Sequence, residues 1–310
     1  PLAAATLYDG YPLAQKGRAS DAIGIAITSS AIGGLIGGIV LVFCAPILAN
    51  FASNFAPPEY AMLAIMGLFA IVVISGGSVI KGLLAGSFGL IISTIGTDSF
   101  STGLRFTFGS HNLLNGFHIV AVVVGLFAIS EMTFQMLKRD LLEIPKVKVA
   151  RPGLRTISMT LKHYVNLVRS SAIGTFFGAI PGAGGVISSF TSYAVAKASS
   201  KPGEKYGEGE EGGVVATESA NNATVGGTLV PTLSLGIPGD ASSAMLLGAL
   251  LILGFIPGPA MFENNPDVVG GIFMVYLLSN VFLLIAGILA TPLFVYVLRI
   301  PKVYLIPSIL

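Results

Sequence analysis

The apolar positions of this chain fall in long runs rather than in short alternations. Ala22 to Leu48, Tyr60 to Val79, Phe117 to Leu137 and Val268 to Leu298 are each nearly uninterrupted. Each reaches the ~20 residues that a helix needs to cross a hydrocarbon core, so each is expected to span a membrane. Gly82 to Gly96 is a shorter, glycine-rich apolar segment. Three further stretches, Ser170 to Ala196, Gly212 to Leu235 and Gly236 to Leu253, are apolar but studded with polar side chains or split by Gly and Pro. Polar segments separate the runs: residues 1–20, where Asp9-Gly10 and Tyr11-Pro12 mark a turn, then 50–59, 97–116, 138–169, 197–211 and 255–267. The closing VYLIPSIL reads as the start of another span. The pattern predicts an all-α, polytopic membrane protein with broken or re-entrant helices.

Composition agrees. Hydrophobic residues make up 53% of the 310 positions and charged residues 10%, with a mean hydropathy of +0.84. A soluble domain carries about 25% charged residues, so this chain cannot cover a water-facing surface. A net charge of +2, without basic residues interleaved with aromatics, gives no footprint for nucleic acid. The single cysteine, Cys44, lies inside an apolar run and reads as a small buried or lipid-facing residue.

Charge also sets orientation. Lys138 to Arg169 holds eight Lys or Arg against Asp140 and Glu143. Short basic loops stay in the cytoplasm. With this loop inside, Lys16, Arg18 and Lys81 also fall inside, and 49–59 and 97–116 fall outside with Arg105 as their only basic residue. The expected organisation is 1–137 as the remainder of a first repeat half whose start is missing, 138–169 as a basic cytoplasmic loop, and 170–310 as a second repeat half whose end is missing. Ala5–Gly10 resembles Ser243–Gly248 in spacing from a run of small residues, a weak internal repeat.

The chemistry concentrates between Gly174 and Phe262. Backbone that breaks inside a bilayer is tolerated only where protein or a water-filled cavity surrounds it, and broken helices aimed at a polar site mark transporters. Pro181-Gly182-Ala183-Gly184-Gly185 and Pro238-Gly239-Asp240 are suited to start half-helices, whose free N–H groups and dipole attract anions. Asn221, Asn222, Thr224 and Thr232 can donate to a carboxylate without adding charge. Glu218, Asn222 and Ser234 are the candidates for coupling to a cation, Na⁺ or H⁺, and Asp240 is a further ionisable group at membrane depth. Other readings remain open. The glycines of 174–185, like Gly33 and Gly37, can be packing seams. Thr228, Thr232 and Ser234 can bond their own helix, and Asp240 can be a helix cap. A channel is an alternative to a carrier. An intramembrane aspartyl protease using Asp9 and Asp240 is a remoter one, since the flanking motifs of that class are missing. No GxSxG or Walker A motif occurs, His111, His118 and His163 lie apart, and neither catalytic residues, a metal site nor a cofactor is expected.

At these residues the chain resembles a known family. GTFFGAIPGAGGVISSFTSYAVAK, ESANNATVGGTLVPTLSLGIPGDASSAMLLGALLILGFIPGPAMF and TLYDGYPLAQKGRASDAIGIA look like the large membrane subunit of tripartite tricarboxylate transporters, the TctA family, and IGTDSFSTGLRFTFGSHNLLNGF and GLFAISEM fit as well. The likeness covers nearly all of the chain; the family begins further upstream with a first copy of the PG-rich motif. The resemblance implies a multi-pass carrier of the bacterial inner membrane. It implies a small membrane subunit and a periplasmic solute-binding protein as partners, a citrate-like tricarboxylate or related carboxylate as substrate, and a cation gradient as the driving force. Pro181, Gly182, Gly184, Glu218, Asn221, Asn222, Pro231, Thr232, Pro238 and Gly239, with Thr6, Asp9 and Gly10 from the first repeat, match its motifs. The expected substrate site therefore comprises Thr6, Asp9, Pro181, Gly182, Gly184, Gly185, Asn221, Asn222, Thr224, Thr232, Pro238, Gly239 and Asp240.

Overall fold

The computed structural model describes residues 4–56, 58–59, 61–62, 65, 79–97, 103–117, 153, 155–181 and 184–297. Most of the expected spans Tyr60–Val79 and Phe117–Leu137, residues 138–152 of the basic loop, and Gly182 lie outside the described residues. The helices are α1 (Leu7–Leu13), α2 (Ala19–Ala52), α3 (Val79–Ser93), α4 (Arg155–Lys162), α5 (Tyr164–Ala179), α6 (Gly184–Ala198), α7 (Glu211–Leu235), α8 (Ala241–Ile252), α9 (Pro259–Asn264) and α10 (Pro266–Val297). A two-residue ribbon, β1 (Gly96–Thr97) against β2 (Leu104–Arg105), is antiparallel with Gly96 opposite Arg105. The all-α class holds.

Among the described residues, two helices are long and apolar enough to cross a membrane. α2 has 34 residues and α10 has 32, or about 51 and 48 Å at 1.5 Å per residue. Their outer faces keep Phe43, Ile47, Phe51, Met274, Leu278 and Phe282 exposed. In water that would be costly; against lipid tails it is the stable arrangement. Cys44 is exposed on the same side of the balance.

α7 is the central element, with 19 of its 25 residues buried. Lipid supplies no hydrophobic force to pull helices together, so close backbone packing between small residues has to. α2 lies on one flank: a Cβ on Gly33 would come 2.6 Å from Ser219 Cα, and one on Gly37 would come 2.7 Å from the Ala223 carbonyl oxygen. α5 lies on another: a Cβ on Gly174 would come 2.8 Å from Ala220 Cα, and one on Gly178 would come 3.0 Å from Gly227 Cα. In both pairs the numbers rise together, so α2, α5 and α7 run parallel. Ser188 facing Thr224 and Tyr193 facing Gly213 make α6 antiparallel. α5 and α6 therefore form a hairpin that enters and returns to the basic side, with Ile180 and Pro181 leading into its tip.

α10 runs opposite to α2, since Gly34 meets Asn280, Gly38 meets Tyr276 and Gly287 meets Ile27. Two apolar clusters close the ends of the α2–α7 pair. One joins Leu13, Ile25, Met159, Leu167, Val214 and Val215. The other joins Leu41, Leu229, Leu233, Leu250, Met261 and Val269.

Residues 4–20 differ from expectation. They are not a turn but a helical segment, with Pro12 inside α1 and the bend displaced to Gly17, at φ 80°. Burial of Leu13 and Asp9 against α7 outweighs the local turn chemistry. α1 starts beside Thr217 and descends to the basic side before α2 rises. α8 starts deep and runs the other way before α10 returns. The two helix pairs, α1–α2 and α8–α10, thus follow opposite courses.

Candidate functional site

The two interruptions read from Pro and Gly are both present. α5 stops at Ala179, Ile180 is extended, and α6 restarts at Gly184, at φ 64°. Pro181, at the tip, is half-buried, and Gly185 is buried. α7 stops at Gly236, whose φ of 70° only glycine adopts freely. Its N–H returns to the Thr232 carbonyl at 3.1 Å, and Ile237 reaches back to Pro231 at 3.4 Å. Pro231 has no N–H, so the Gly227 carbonyl lacks its usual helical donor.

The interruptions meet. After Gly236 the chain doubles back along α7, and a Cβ on Gly239 would lie 3.0 Å from Thr228 Cβ and 3.1 Å from the Gly178 carbonyl oxygen. Gly178 is the last glycine before the α5–α6 break. Ser188, one turn into α6, pairs with Thr224 at 2.7 Å, which sets the start of α6 about 6 Å further along, level with Thr228. The N-termini of α6 and α8 therefore begin at the same depth and run away from each other. Their free amides and positive dipole ends face a shared region beside Thr224 and Thr228. Glycine at 178 and 239 is what allows backbone to lie on backbone there.

The α8 end is already served. Asp240 accepts from the Ser243 amide at 2.7 Å, and Ser243 Oγ accepts from the Asp240 amide at 3.0 Å, a reciprocal capping box. Asp240 is thus the helix cap that one reading of the sequence allowed. Pro238 is half-buried in the same loop.

The polar residues of α7 divide by face. Glu218 and Asn221 are half-buried; Glu218 Oε1 accepts from Thr6 Oγ1, just ahead of α1, at 2.6 Å, and Thr6 Oγ1 lies 3.0 Å from Thr217 Oγ1. Asn222 faces the other way. Its Nδ2 donates to the Ser30 carbonyl and to Asn280 Oδ1, both at 2.7 Å, tying α7 to α2 and α10. The structure does not bring Asn222 to the meeting of the breaks. Thr224, Thr228, Thr232 and Ser234 each donate to their own helix, to Ala220, Val225, Thr228 and Val230. Thr232 and Ser234 are fully buried within α7, so the intrahelical reading describes them.

Asp9 is also elsewhere. Its Oδ1 accepts from the amides of Gly207, Gly209 and Glu210 at 2.8, 2.9 and 2.8 Å, and its Oδ2 accepts from Tyr193 at 2.9 Å. It anchors the loop between α6 and α7. Arg18 secures the same end through Glu211 at 2.6 Å and Asp21 at 2.9 Å. In this loop burial raises the Tyr206 phenol, which accepts from Asn166 at 3.0 Å. Asp9 is held by the α6–α7 loop beside Gly213 and Asp240 caps α8 beyond Thr228, so the two carboxylates do not meet as a shared-proton protease pair.

Sequence reading missed Ser188, Ser189, Tyr193 and Asn280. Ser188 and Ser189 were legible as part of the buried stripe Gly185, Ser188, Ser189, Ser192, Ala196 at helical spacing. Asn280 offered a signal too, as a lone amide inside a 32-residue apolar helix.

Comparison with known proteins agrees with the resemblance. The model of the tripartite tricarboxylate transporter TctA family matches residues 1–310. A protein of Agrobacterium vitis described as an uncharacterized 52.8 kDa protein in the TAR-I ttuC′ 3′ region is 34% identical over 99% of this chain and 61% of its own length. Another from Agrobacterium vitis, described as lying in the TAR-II ttuC′ 3′ region, is 38% identical over 44% of this chain and 56% of its own. The chain thus spans about three-fifths of the curated relatives it matches. No solved structure matches. With a family match over its whole length, on top of the paired helix breaks and lipid-facing spans, the chain belongs to the tripartite tricarboxylate transporter TctA family.

Proposed function

We propose that the protein is the membrane permease of a tripartite uptake system, a secondary active carrier of citrate-like tricarboxylates or related carboxylates. It receives its solute from a periplasmic solute-binding protein, works beside a small membrane subunit in the bacterial inner membrane, and draws on a Na⁺ or H⁺ gradient. One observation carries this reading: two half-helix N-termini, α6 and α8, begin at one depth beside Thr224 and Thr228. Such ends hold anions with backbone amides and add no charge to the bilayer. The α6 end is the main carboxylate site, because Asp240 already caps α8. Pro181 and Gly184 shape the tip, Gly239 lets the opposing loop approach, and the Ser188–Thr224 hydroxyl pair and Asn221 supply neutral donors. Asn222 acts by positioning α7.

The test is uptake of radiolabelled citrate and a panel of di- and tricarboxylates by cells carrying the full-length protein with both partners. Thr224→Val keeps the shape and removes the hydroxyl facing α6. Loss of one hydrogen bond to a charged ligand, ~1.5–3 kcal/mol, lowers uptake at subsaturating solute roughly ten- to hundredfold. Wild-type uptake at equal membrane abundance would sink the assignment.

A further inference from the structure

Glu218 sits in a chain of three oxygens that reads in both directions. Thr6 Oγ1 lies 2.6 Å from Glu218 Oε1 and 3.0 Å from Thr217 Oγ1. Thr217 Oγ1 in turn lies 3.1 Å from the carbonyls of Gly213 and Val214. A threonine hydroxyl has one proton to give and two lone pairs to accept with. When the carboxyl is ionised, Thr217 donates to Thr6 and Thr6 donates to Glu218. When it is protonated, Glu218 donates to Thr6, Thr6 to Thr217, and Thr217 to its own helix carbonyls. Every hydroxyl is satisfied in either state, and only rotations about C–O bonds separate the two.

The surroundings give Glu218 no fixed counter-charge among the described residues. On α1 the titratable neighbours are Tyr8 and Asp9, and Asp9 is bonded to Tyr193 of α6 and to loop amides. On α2, Asp21 pairs with Arg18, which also holds Glu211. On α5, Arg169 bonds Asn166 and Ser199. Glu218 lies seven residues into α7, about 10 Å from its basic-side end. An ionisable group at such depth is a functional position by default.

We propose that Glu218 is the proton-carrying group of the transport cycle, binding a proton on its carboxyl from the periplasmic side and releasing it to the cytoplasm while Thr6 and Thr217 reverse their hydrogen bonds. This rests on the carrier reading and specifies its coupling ion. The proton comes from water and returns to water, and no covalent bond other than O–H changes. Thr6 is a positioning residue: it keeps both protonation states hydrogen-bonded.

Two measurements on the full complex in proteoliposomes test this. Infrared difference spectra across the physiological pH range read carboxyl protonation directly. A titrating C=O band is expected, lost in Glu218→Gln and displaced in midpoint by Thr6→Val. Transport reads the consequence. A pH gradient drives solute accumulation without Na⁺ in the wild type, whereas Glu218→Gln retains solute counterflow and loses accumulation. A band that persists in Glu218→Gln, or accumulation that needs Na⁺ and ignores the pH gradient, overturns the proposal and leaves the carrier standing. If the wild type shows no counterflow with any carboxylate, the carrier reading fails, and this use of Glu218 fails with it even where the band titrates.

Discussion

Replacing Asp9 by Ala should release the loop between α6 and α7 without unfolding the helices. The carboxylate accepts three amides and one phenol, and a hydrogen bond to a charged group contributes ~1.5–3 kcal/mol. The four do not add. Gly207 is exposed, so water replaces Asp9 there at little cost. The half-buried amides of Gly209 and Glu210 are the ones left wanting, which gives about 3–6 kcal/mol of lost loop stability. That corresponds to a loop-opening constant raised by roughly two to four orders of magnitude. The assay is limited trypsinolysis after Lys205, whose side chain is 73% exposed. Cleavage requires the loop to open first, so its rate follows the open population. Tyr193→Phe removes one donor and should accelerate cleavage about tenfold or somewhat more. Asp9→Asn keeps an acceptor oxygen for the amides and should fall between. Cleavage of Asp9→Ala at the wild-type rate, with helical content unchanged, would refute the anchoring role and reopen Asp9 as a ligand.

Gly178→Ala places a methyl against the Thr224 carbonyl and 3.0 Å from Gly227 Cα. Overpacking costs ~1–3 kcal/mol, and backbone on both sides leaves little room to relax, so a clear drop in thermal unfolding temperature is expected; an unchanged one would show that α5 and α7 separate freely. Asn222→Ala, Asn280→Ala and the double variant form a cycle whose coupling energy, read from unfolding in detergent, should be ~0.6–1.7 kcal/mol. Zero coupling would remove the amide clasp between α7 and α10.

The spans were legible because a bilayer demands unbroken apolar length, and α2 and α10 supply it. The breaks were legible because Pro181-Gly182 and Pro238-Gly239 cannot readily continue a helix. Asp9 and Asn222 were not, because one sequence cannot say which side of a helix a polar group will meet, and both found partners about 190–200 positions away. Residues 4–20 misled for a related reason. Asp9-Gly10 and Tyr11-Pro12 favour a turn locally, and only the groove along α7, formed by distant segments, makes a helix there the better arrangement. Thr232 and Ser234 show the converse: they looked like ligands by type, yet a hydroxyl in an apolar helix finds its own carbonyl first.

The seams around α7 differ in kind, and that difference bears on which of its neighbours can move. Toward α2 and α5 the contact is backbone on backbone through Gly33, Gly37, Gly174, Gly178, Gly226 and Gly227. Such surfaces interlock, and sliding by a fraction of a turn would drive a carbonyl into a neighbouring Cα. Toward α6 the contact is made by small hydroxyl side chains. Thr217, Thr224 and Ser188 mostly bond within their own helices, to Gly213, Ala220 and Gly185. Ser192 of α6 is buried with no side-chain partner among the described residues. Among the described residues, the hydrogen bonds that cross from α6 to α7 are the Ser188–Thr224 pair and the long Ser189 contact to the Thr217 carbonyl, 3.4 Å. Separating α6 from α7 thus breaks few hydrogen bonds and exposes hydroxyls that water can serve, whereas separating α7 from α2 or α5 exposes close-packed backbone with no replacement contact. Rearrangement at the meeting of the two helix breaks therefore costs least along the α6 side.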